Sequence, residues 1–476
     1  MDNPTWLSLD RAAGDLEGQL YRALRDHILA GGIAAGQPLP ATRALAAALG
    51  VGRSTVVGAY DRLKAEGYVE GRAGSATRVA GLAPPLLEGW GPARPPASSF
   101  APEPVSSGML VPGVPDVEDF PHAAWARCLA ARGRALRVHD LGYDDVCGLP
   151  MLRQAVLDHV AVTRGVVAKA GQVLIVPSTR AAIDLLGRLL LPPQGGREAV
   201  AWIEEPGYSA AQGLLRRAGA QLVPVACDEA GIDLAKAGGP APRLIYVTPS
   251  HQYPTGVTMS LQRRLALLDF ARSQGVLVLE DDYDSEFQYG SRPIAALQGI
   301  DRGEVVAYLG TFSKVLAPGL RVAYLIVPPR LLPQVAVEQR LRGLAVPVHI
   351  QAALADFMRE GRLRAYLRRM TVRYAERMAA TVAALERHCG AWLQVASGSG
   401  GLQLAAWFRD PGIDDRAVAR LLNAEGYGLK PMSDLFLGPP RPGLLFGIAR
   451  VRPDEIDRVA RRIGSLFDEA CHRRAV

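Results

Sequence analysis

The chain has little cysteine, and what it has shows no pairing pattern. Cys128, Cys147, Cys227, Cys389 and Cys471 are scattered, odd in number and never spaced as Cys-x-x-Cys, so neither a disulfide framework nor a metal site is expected. No apolar run reaches about 18 residues, the length that marks a membrane-crossing helix. The opening MDNPTWLSLDRAAGD has no basic stretch followed by an apolar one, so no export signal and no membrane partner are expected, and a cytoplasmic location fits. Charge of one sign is not in large excess either. A net charge of +7 with a pI near 9.2 favours an anionic partner only weakly, because arginine spread over a whole chain has no direction. At 476 residues, 49% hydrophobic and 21% charged, the chain is globular and long enough for two or three units.

Position along the chain says more. Leu16, Leu20, Leu24 and Ile28 recur four apart with Ala23 beside them, predicting an amphipathic helix that Gly31-Gly32 ends. Leu39-Pro40-Ala41-Thr42 opens a second short helix, with Thr42 the best cap, closed at Gly50. After Gly50-Val51-Gly52, the run RSTVVGAYDRLKAEG puts Val56, Tyr60 and Leu63 on one face and leaves Arg53, Ser54, Thr55 and Arg62 on others. Two short helices joined by a tight glycine turn make a helix-turn-helix, whose second helix fits a DNA major groove, although such pairs also serve as plain packing modules. Tyr68–Glu70 and Ala76–Val79 read as the strands of a hairpin wing. Between Arg43 and Arg78, six basic residues face three acidic ones, which points to phosphate contacts. Residues 81–115 hold nine prolines without periodicity and read as a semi-extended linker. The expected division is therefore 1–80, linker 81–115, and 116–476.

The third part is organised around residues 275–328. Val276–Leu279, Val305–Leu309 and Val322–Val327 have the length and β-branched content of buried parallel strands, and in such sheets chemistry sits where strands end. Asp281 and Tyr283 follow the first run, Lys314 follows the second after Gly-Thr-Phe-Ser, and Arg321 comes seven residues later. Pyridoxal phosphate needs an amine to form its Schiff base, a carboxylate for its pyridine nitrogen, a hydroxyl near its phenolic oxygen, and cations or amides for its phosphate. Lys314, Asp281, Tyr283 and Arg321, with Thr311 or Ser313, supply these in order. A lone loop lysine is usually solvated and paired aspartates often cap helices; it is the combination that favours the cofactor. Upstream, the Val173–Val176 strand runs through Ser178, Thr179 and Arg180 into a helix, a ready phosphate site. Ala199–Glu204 is a further strand, delivering Tyr208. Strands near Leu402–Phe408 and Leu444–Ala449 belong to a smaller C-terminal unit.

EDDYDSEF, then GTFSK, then LAPGLR resembles the core of fold-type I aminotransferases, and LPATRALAAALGVGRSTVVGAYDRLKAEGYVEGRAGSATRV is similar to the winged helix-turn-helix of GntR-type regulators. The combination with a proline-rich linker resembles the MocR subfamily of bacterial regulators from Leu16 onward. This implies an α/β fold: a winged helix-turn-helix joined to an aminotransferase-like domain with a mainly parallel sheet and large and small subdomains. It also implies pyridoxal 5'-phosphate bound at Lys314, an aromatic role for Tyr208 over the pyridine ring, and a homodimer in which Tyr143 reaches the partner's phosphate. Arg53, Ser54 and Thr55 inherit the DNA-facing role, with Arg43 and Arg72 on the DNA backbone. The expected partners are promoter DNA and a small amino compound, or the vitamin itself, as effector. Several positions depart from the family pattern: Gly52 replaces a capping Ser, Ala76-Thr77-Arg78 a Gly-Thr-Phe, Ser178 a Gly, Arg180 a Gln, and Tyr253 an Asn. With Tyr253 there, either Tyr283 alone holds the phenolic oxygen, or Tyr253 or His251 helps. Leu445, flanked by Arg441 and Arg450, stands where an arginine usually meets the substrate carboxylate. Two rivals remain: a working aminotransferase with an accessory DNA-binding domain, and a DNA-binding scaffold whose aminotransferase fold has lost its cofactor.

Overall fold

The computed structural model describes residues 7–71, 76–81, 108–142, 145–193, 198–290 and 294–472. They fall into two compact units, one within Met1–Glu103 and one within Pro104–Val476.

In the first unit, helices Leu16–Leu29, Thr42–Leu49 and Arg53–Ala65 are followed by strands Val69–Glu70 and Arg78–Val79, paired antiparallel. The four-residue spacing read from the sequence is the core: Leu20, Leu24, Ile28, Leu45, Val56, Tyr60 and Leu63 are buried together with Val69 and Val79. The first helix is capped by Asp15, which accepts from the Gly18 amide, and the second closes on Gly50 in the left-handed conformation. Thr42 is not the cap expected of it. Ala41 takes that position without a side-chain bond, and Thr42 is already the first helical residue.

The second unit is built on an eight-stranded sheet. From edge to edge it runs Val173–Val176, Ala323–Ile326, Val306–Thr311, Leu277–Asp282, Leu244–Val247, Ala199–Glu205, Ala220–Asp228 and Gly231–Ile232. The pairings from Val306–Thr311 through Ala220–Asp228 are parallel. The expectation of three parallel strands from 276 to 327 fails at the last of them, because Ala323–Ile326 runs antiparallel to both its neighbours. The cause is length: only residues 312–322 join it to Val306–Thr311, and a parallel crossover needs roughly a dozen residues or more. A smaller antiparallel sheet carries Leu393–Val395, Gln403–Phe408, Gly443–Gly447 and Lys430–Pro431 in that order. Among the described residues no helix is long and apolar enough to cross a membrane.

The segment expected to be linker as far as Pro115 is docked on this unit from Gly108 onward. Leu110 is fully buried, its N–H donates to the Tyr427 carbonyl, and its own carbonyl accepts from Gly447. A Cβ on Gly447 would collide with the Val111 carbonyl, so glycine is needed for the approach. The short apolar run Met109-Leu110-Val111 drives this docking, and the surrounding prolines hid it. The rest of the linker, 82–107, lies outside the described residues.

At the end of Leu277–Asp282 four carboxylates, Glu280, Asp281, Asp282 and Asp284, are all buried. Arg164, at the end of helix Pro150–Arg164, donates to Asp282 at 2.8 Å, with both side chains 2% exposed. Burial pushes the Asp282 carboxyl up, but Arg164, Ser285 and Tyr308 outweigh it and hold the group below the usual carboxylate range. Arg164→Met should therefore strand a buried carboxylate and cost about 3–5 kcal/mol. Urea unfolding of the second unit checks this; a midpoint equal to wild type would show that the pair does not support the fold.

Candidate functional site

Strand ends of the large sheet, one edge of the small sheet and the docked segment surround a cavity of about 360 Å³. Asp281 is the penultimate residue of its strand. Tyr246, from the neighbouring strand, donates to its Oδ2 at 2.7 Å, while its Oδ1 is buried without a partner. Burial raises the Asp281 carboxyl to about 7, against the lowering effect of Tyr246. Lys314 lies in the short helix Phe312–Val315 that follows Val306–Thr311, and its Nζ donates to the Gly113 carbonyl at 2.6 Å. Burial pushes the Lys314 ammonium below its ordinary value; Asp284 opposes that, and Lys430 and Arg180 add to it.

Thr311 caps the short helix by accepting from the Ser313 amide at 3.1 Å. Arg321 leads into the returning strand, so the antiparallel direction that the sequence did not reveal still brings it to the same edge. On the other flank Ser178 caps helix Thr179–Leu190, accepting from the Ala181 amide at 3.1 Å, and Arg180 donates to the Tyr208 hydroxyl at 3.3 Å. Tyr253 packs edge-on against both Tyr208 and Tyr283. The Tyr283 hydroxyl accepts from Gln403 Nε2 at 3.3 Å and lies 3.1 Å from His251 Nδ1, which is itself 2.9 Å from Asp284.

The cavity thus brings together Lys314, Asp281, Tyr283, Arg321, Thr311, Ser313, Tyr208, Ser178, Thr179 and Arg180. Tyr143 lies outside the described residues. Of the two aromatic neighbours left open for the phenolic oxygen, Tyr253 lines the cavity, whereas His251 is not among the lining residues and braces Tyr283 from behind. Sequence reasoning missed Pro112, Gly113, Tyr246, Thr248, Gln403 and Lys430. Tyr246 reads as core within the apolar run Leu244–Val247, and the others come from segments with no motif of their own. Neither Arg441 nor Arg450 lines the cavity: Arg441 stacks on Trp407, and Arg450 donates to the Gly108 carbonyl.

The residues present fit pyridoxal phosphate. An orphaned buried carboxylate oxygen suits a protonated ring nitrogen, a desolvated amine suits a carbonyl carbon, and a capped helix start beside Arg180 and Arg321 suits a phosphate.

In the first unit Arg53, Ser54 and Thr55 form the opening turn of helix Arg53–Ala65. Arg53 and Ser54 are exposed and Thr55 is half-buried; Arg43, in the preceding helix, is exposed as well. Gly52 gives this helix no side-chain cap, as its sequence implies. Arg72 lies outside the described residues.

A mainly parallel sheet with a lysine, a buried carboxylate and a phosphate cradle along one edge defines a fold-type I pyridoxal-phosphate domain, here in one chain with a helix-turn-helix. Residues 122–463 match the aminotransferase class I and II family and residues 16–79 the bacterial regulatory proteins of the gntR family. The chain belongs to the MocR subfamily of GntR-type transcriptional regulators, and its cofactor is pyridoxal 5'-phosphate. It is 38% identical to the probable rhizopine catabolism regulatory protein MocR of Rhizobium meliloti, over 97% of this chain and 96% of that one. It is 33% identical to the transcriptional regulator TauR of Rhodobacter capsulatus, over 94% and 97%. Among solved structures, the α-aminoadipate aminotransferase LysN of Thermus thermophilus superposes with a TM-score of 0.68 at 27% identity, covering 75% of this chain and 91% of that one.

The free amine is the form of lysine that attacks a carbonyl, so lowering the ammonium pKa raises its share at neutral pH. Capture of pyridoxal phosphate by the cofactor-free protein should therefore speed up with rising pH and level off below 10.5, the ordinary lysine value. Stopped-flow absorbance checks this; a rate still climbing through 10.5 would mark Lys314 as an ordinary solvated lysine.

Proposed function

We propose that this regulator binds promoter DNA as a homodimer through residues 1–80 and senses an amino compound, or vitamin B6 itself, at pyridoxal phosphate held by Lys314. The observation that carries the reading is the unpartnered Asp281 oxygen facing the same cavity as Lys314. When bound, the cofactor supplies an electrophilic carbon that exchanges one amine for another.

The remaining work falls to the chain. Asp281, oriented by Tyr246, would hold the proton on the ring nitrogen. Tyr283 and Tyr253 would hold the phenolic oxygen, Tyr208 would cover the ring, and Ser178, Thr179, Arg180, Ser313 and Arg321 would hold the phosphate. Ser178 accepts one hydrogen bond as a cap and keeps its hydroxyl proton to donate. Lys314 holds the Gly113 carbonyl, and Gly113 ends a segment continuous with the chain leading from the DNA-binding unit. Were an amine to take the place of Lys314 at the bound cofactor, what the Lys314 nitrogen could donate to Gly113 would change. That supplies the different free energies in two states without which no effector shifts an equilibrium.

Lys314→Ala should abolish borohydride-trappable cofactor and remove any response of operator binding to amino compounds. If the second unit turned over an amino donor at about 1–1000 per second, and the full chain bound no promoter, the aminotransferase reading would replace this one.

On DNA, Arg53 reads a base edge and Arg43 and Arg72 hold phosphates. Arg53→Ala should cost roughly 1–3 kcal/mol and relax the preference at one base pair, whereas Arg43→Ala should weaken all sequences alike and lower the salt slope by about one. Salt-dependent binding to an operator and its base-substituted variants separates the two. Equal loss on every sequence in both variants would remove Arg53 from base recognition.

A further inference from the structure

The strand that should bring an arginine to a substrate carboxylate carries Leu445, which is fully buried among Ala405, Met432 and Leu435. In the antiparallel small sheet Leu445 lies directly opposite Lys430, and opposite residues project to the same face with Cβ atoms about 4.5–5.5 Å apart. A cation is therefore present on this face, one strand further out. Lys430 lines the cavity with Lys314, and among the described residues its side chain makes no hydrogen bond or ion pair.

Charge in the cavity points the same way. Arg180 and Arg321 stand on the flank of the phosphate cradle, and Asp281 faces Lys314 for the ring. Lys430, on the opposite subdomain, is the cavity cation left without an anion once the cofactor's own charges are placed. A second group beside it lacks a partner. Gln403, 4% exposed, spends its Nε2 on Tyr283, while its Oε1 is buried, unbonded and next to Gly113. Opposing strand positions put Gln403 two residues from Ala405, the residue that pairs with Leu445, so Gln403 shares the Lys430 face. An unmet buried acceptor costs free energy until a donor reaches it.

We propose that Lys430 and Gln403 form the recognition end of the effector pocket, selecting an amino compound that carries an anionic oxygen group, carboxylate or sulfonate, with a hydroxyl or N–H donor beside it. The amine end faces Lys314, the anion meets the Lys430 ammonium, and the donor fills Gln403 Oε1. Because the cation at this end of the pocket is a lysine and not an arginine, it reads a point charge rather than the planar fork geometry of a carboxylate, so sulfonates are admitted with carboxylates. This rests on the reading that effectors act at the cofactor on Lys314.

The test uses the full-length, cofactor-loaded protein and a panel of amines on one carbon skeleton, ending in carboxylate, sulfonate, amide or alcohol, each with and without a neighbouring hydroxyl. Binding is read from the cofactor absorbance band and by calorimetry. In wild type the anionic members should bind roughly 10- to 100-fold tighter than the neutral ones, the range of a charge-assisted hydrogen bond. Lys430→Met should erase that preference while leaving the neutral amines their affinity, Lys430→Arg should restore it, and Gln403→Leu should remove the gain from the hydroxyl. Arg441→Met, outside the cavity, should change none of these. Equal wild-type binding of charged and neutral amines, or a Lys430→Met loss shared by both classes, would overturn the proposal. Should no amine of any class move the cofactor band, it is the sensor reading that fails. The wild-type panel decides the question even where a variant does not fold.

Discussion

Burying four carboxylates within five residues is the constraint that shapes the second unit. Glu280, Asp281, Asp282 and Asp284 would repel one another, and each would lose its hydration at a cost of several kcal/mol, so every one must recruit a different partner. Asp282 takes Arg164, Glu280 takes the amides of Leu297 and Gln298, Asp284 takes His251, and Asp281 takes Tyr246. These partners come from a helix end, a helix start, a loop and the adjacent strand. Satisfying the row therefore fixes the relative positions of four segments that are far apart in sequence. The solution is unequal by design: Asp282 has a full counter-charge, whereas Asp281 has a single phenol and one idle oxygen, which keeps it receptive to a cationic ring.

The same constraint decides which residues were legible from sequence. Residues consecutive with a strand end, Asp281, Tyr283, Thr311, Ser313 and Lys314, could be assigned because a strand sets the direction in which the chain leaves the sheet. Ser178, Thr179 and Arg180 were legible for the same reason, since a strand running into a helix exposes amides whatever the side chains. In the first unit, periodicity located the first and third helices, because apolar residues on one helical face have few ways to be buried, whereas the second was legible from the Leu39-Pro40-Ala41-Thr42 entry and the Gly50 stop that flank it. Tyr246 could not be found so. Its hydroxyl matters only through register with Asp281 one strand away, and a tyrosine inside an apolar run carries no sign of that.

Lys430, Gln403 and Gly113 were illegible for a stronger reason. Each reaches the cavity through tertiary placement of an antiparallel sheet or a docked segment, and none belongs to a run whose composition stands out. The departures at Leu445 and Tyr253 did show locally that something had changed. The missing arginine at 445 was visible in one dimension, whereas its replacement by a lysine fifteen residues upstream depends on pairing across two strands.

Arg321 shows how the returning strand and the site are tied together. It has φ 52° and ψ 50°, a left-handed conformation rare for a side chain of its size, costing about 1–3 kcal/mol. Eleven residues must leave Thr311, present Ser313 and Lys314 to the cavity, and re-enter the sheet antiparallel beside the strand they left. A reversal that tight needs one residue to turn the backbone where a glycine would be easiest. Gly319 stands two positions earlier, yet the left-handed residue is the arginine. Moving the strain to a glycine would ease the backbone but remove a cation from the cavity lining, so an anion held there would be what offsets the cost at Arg321.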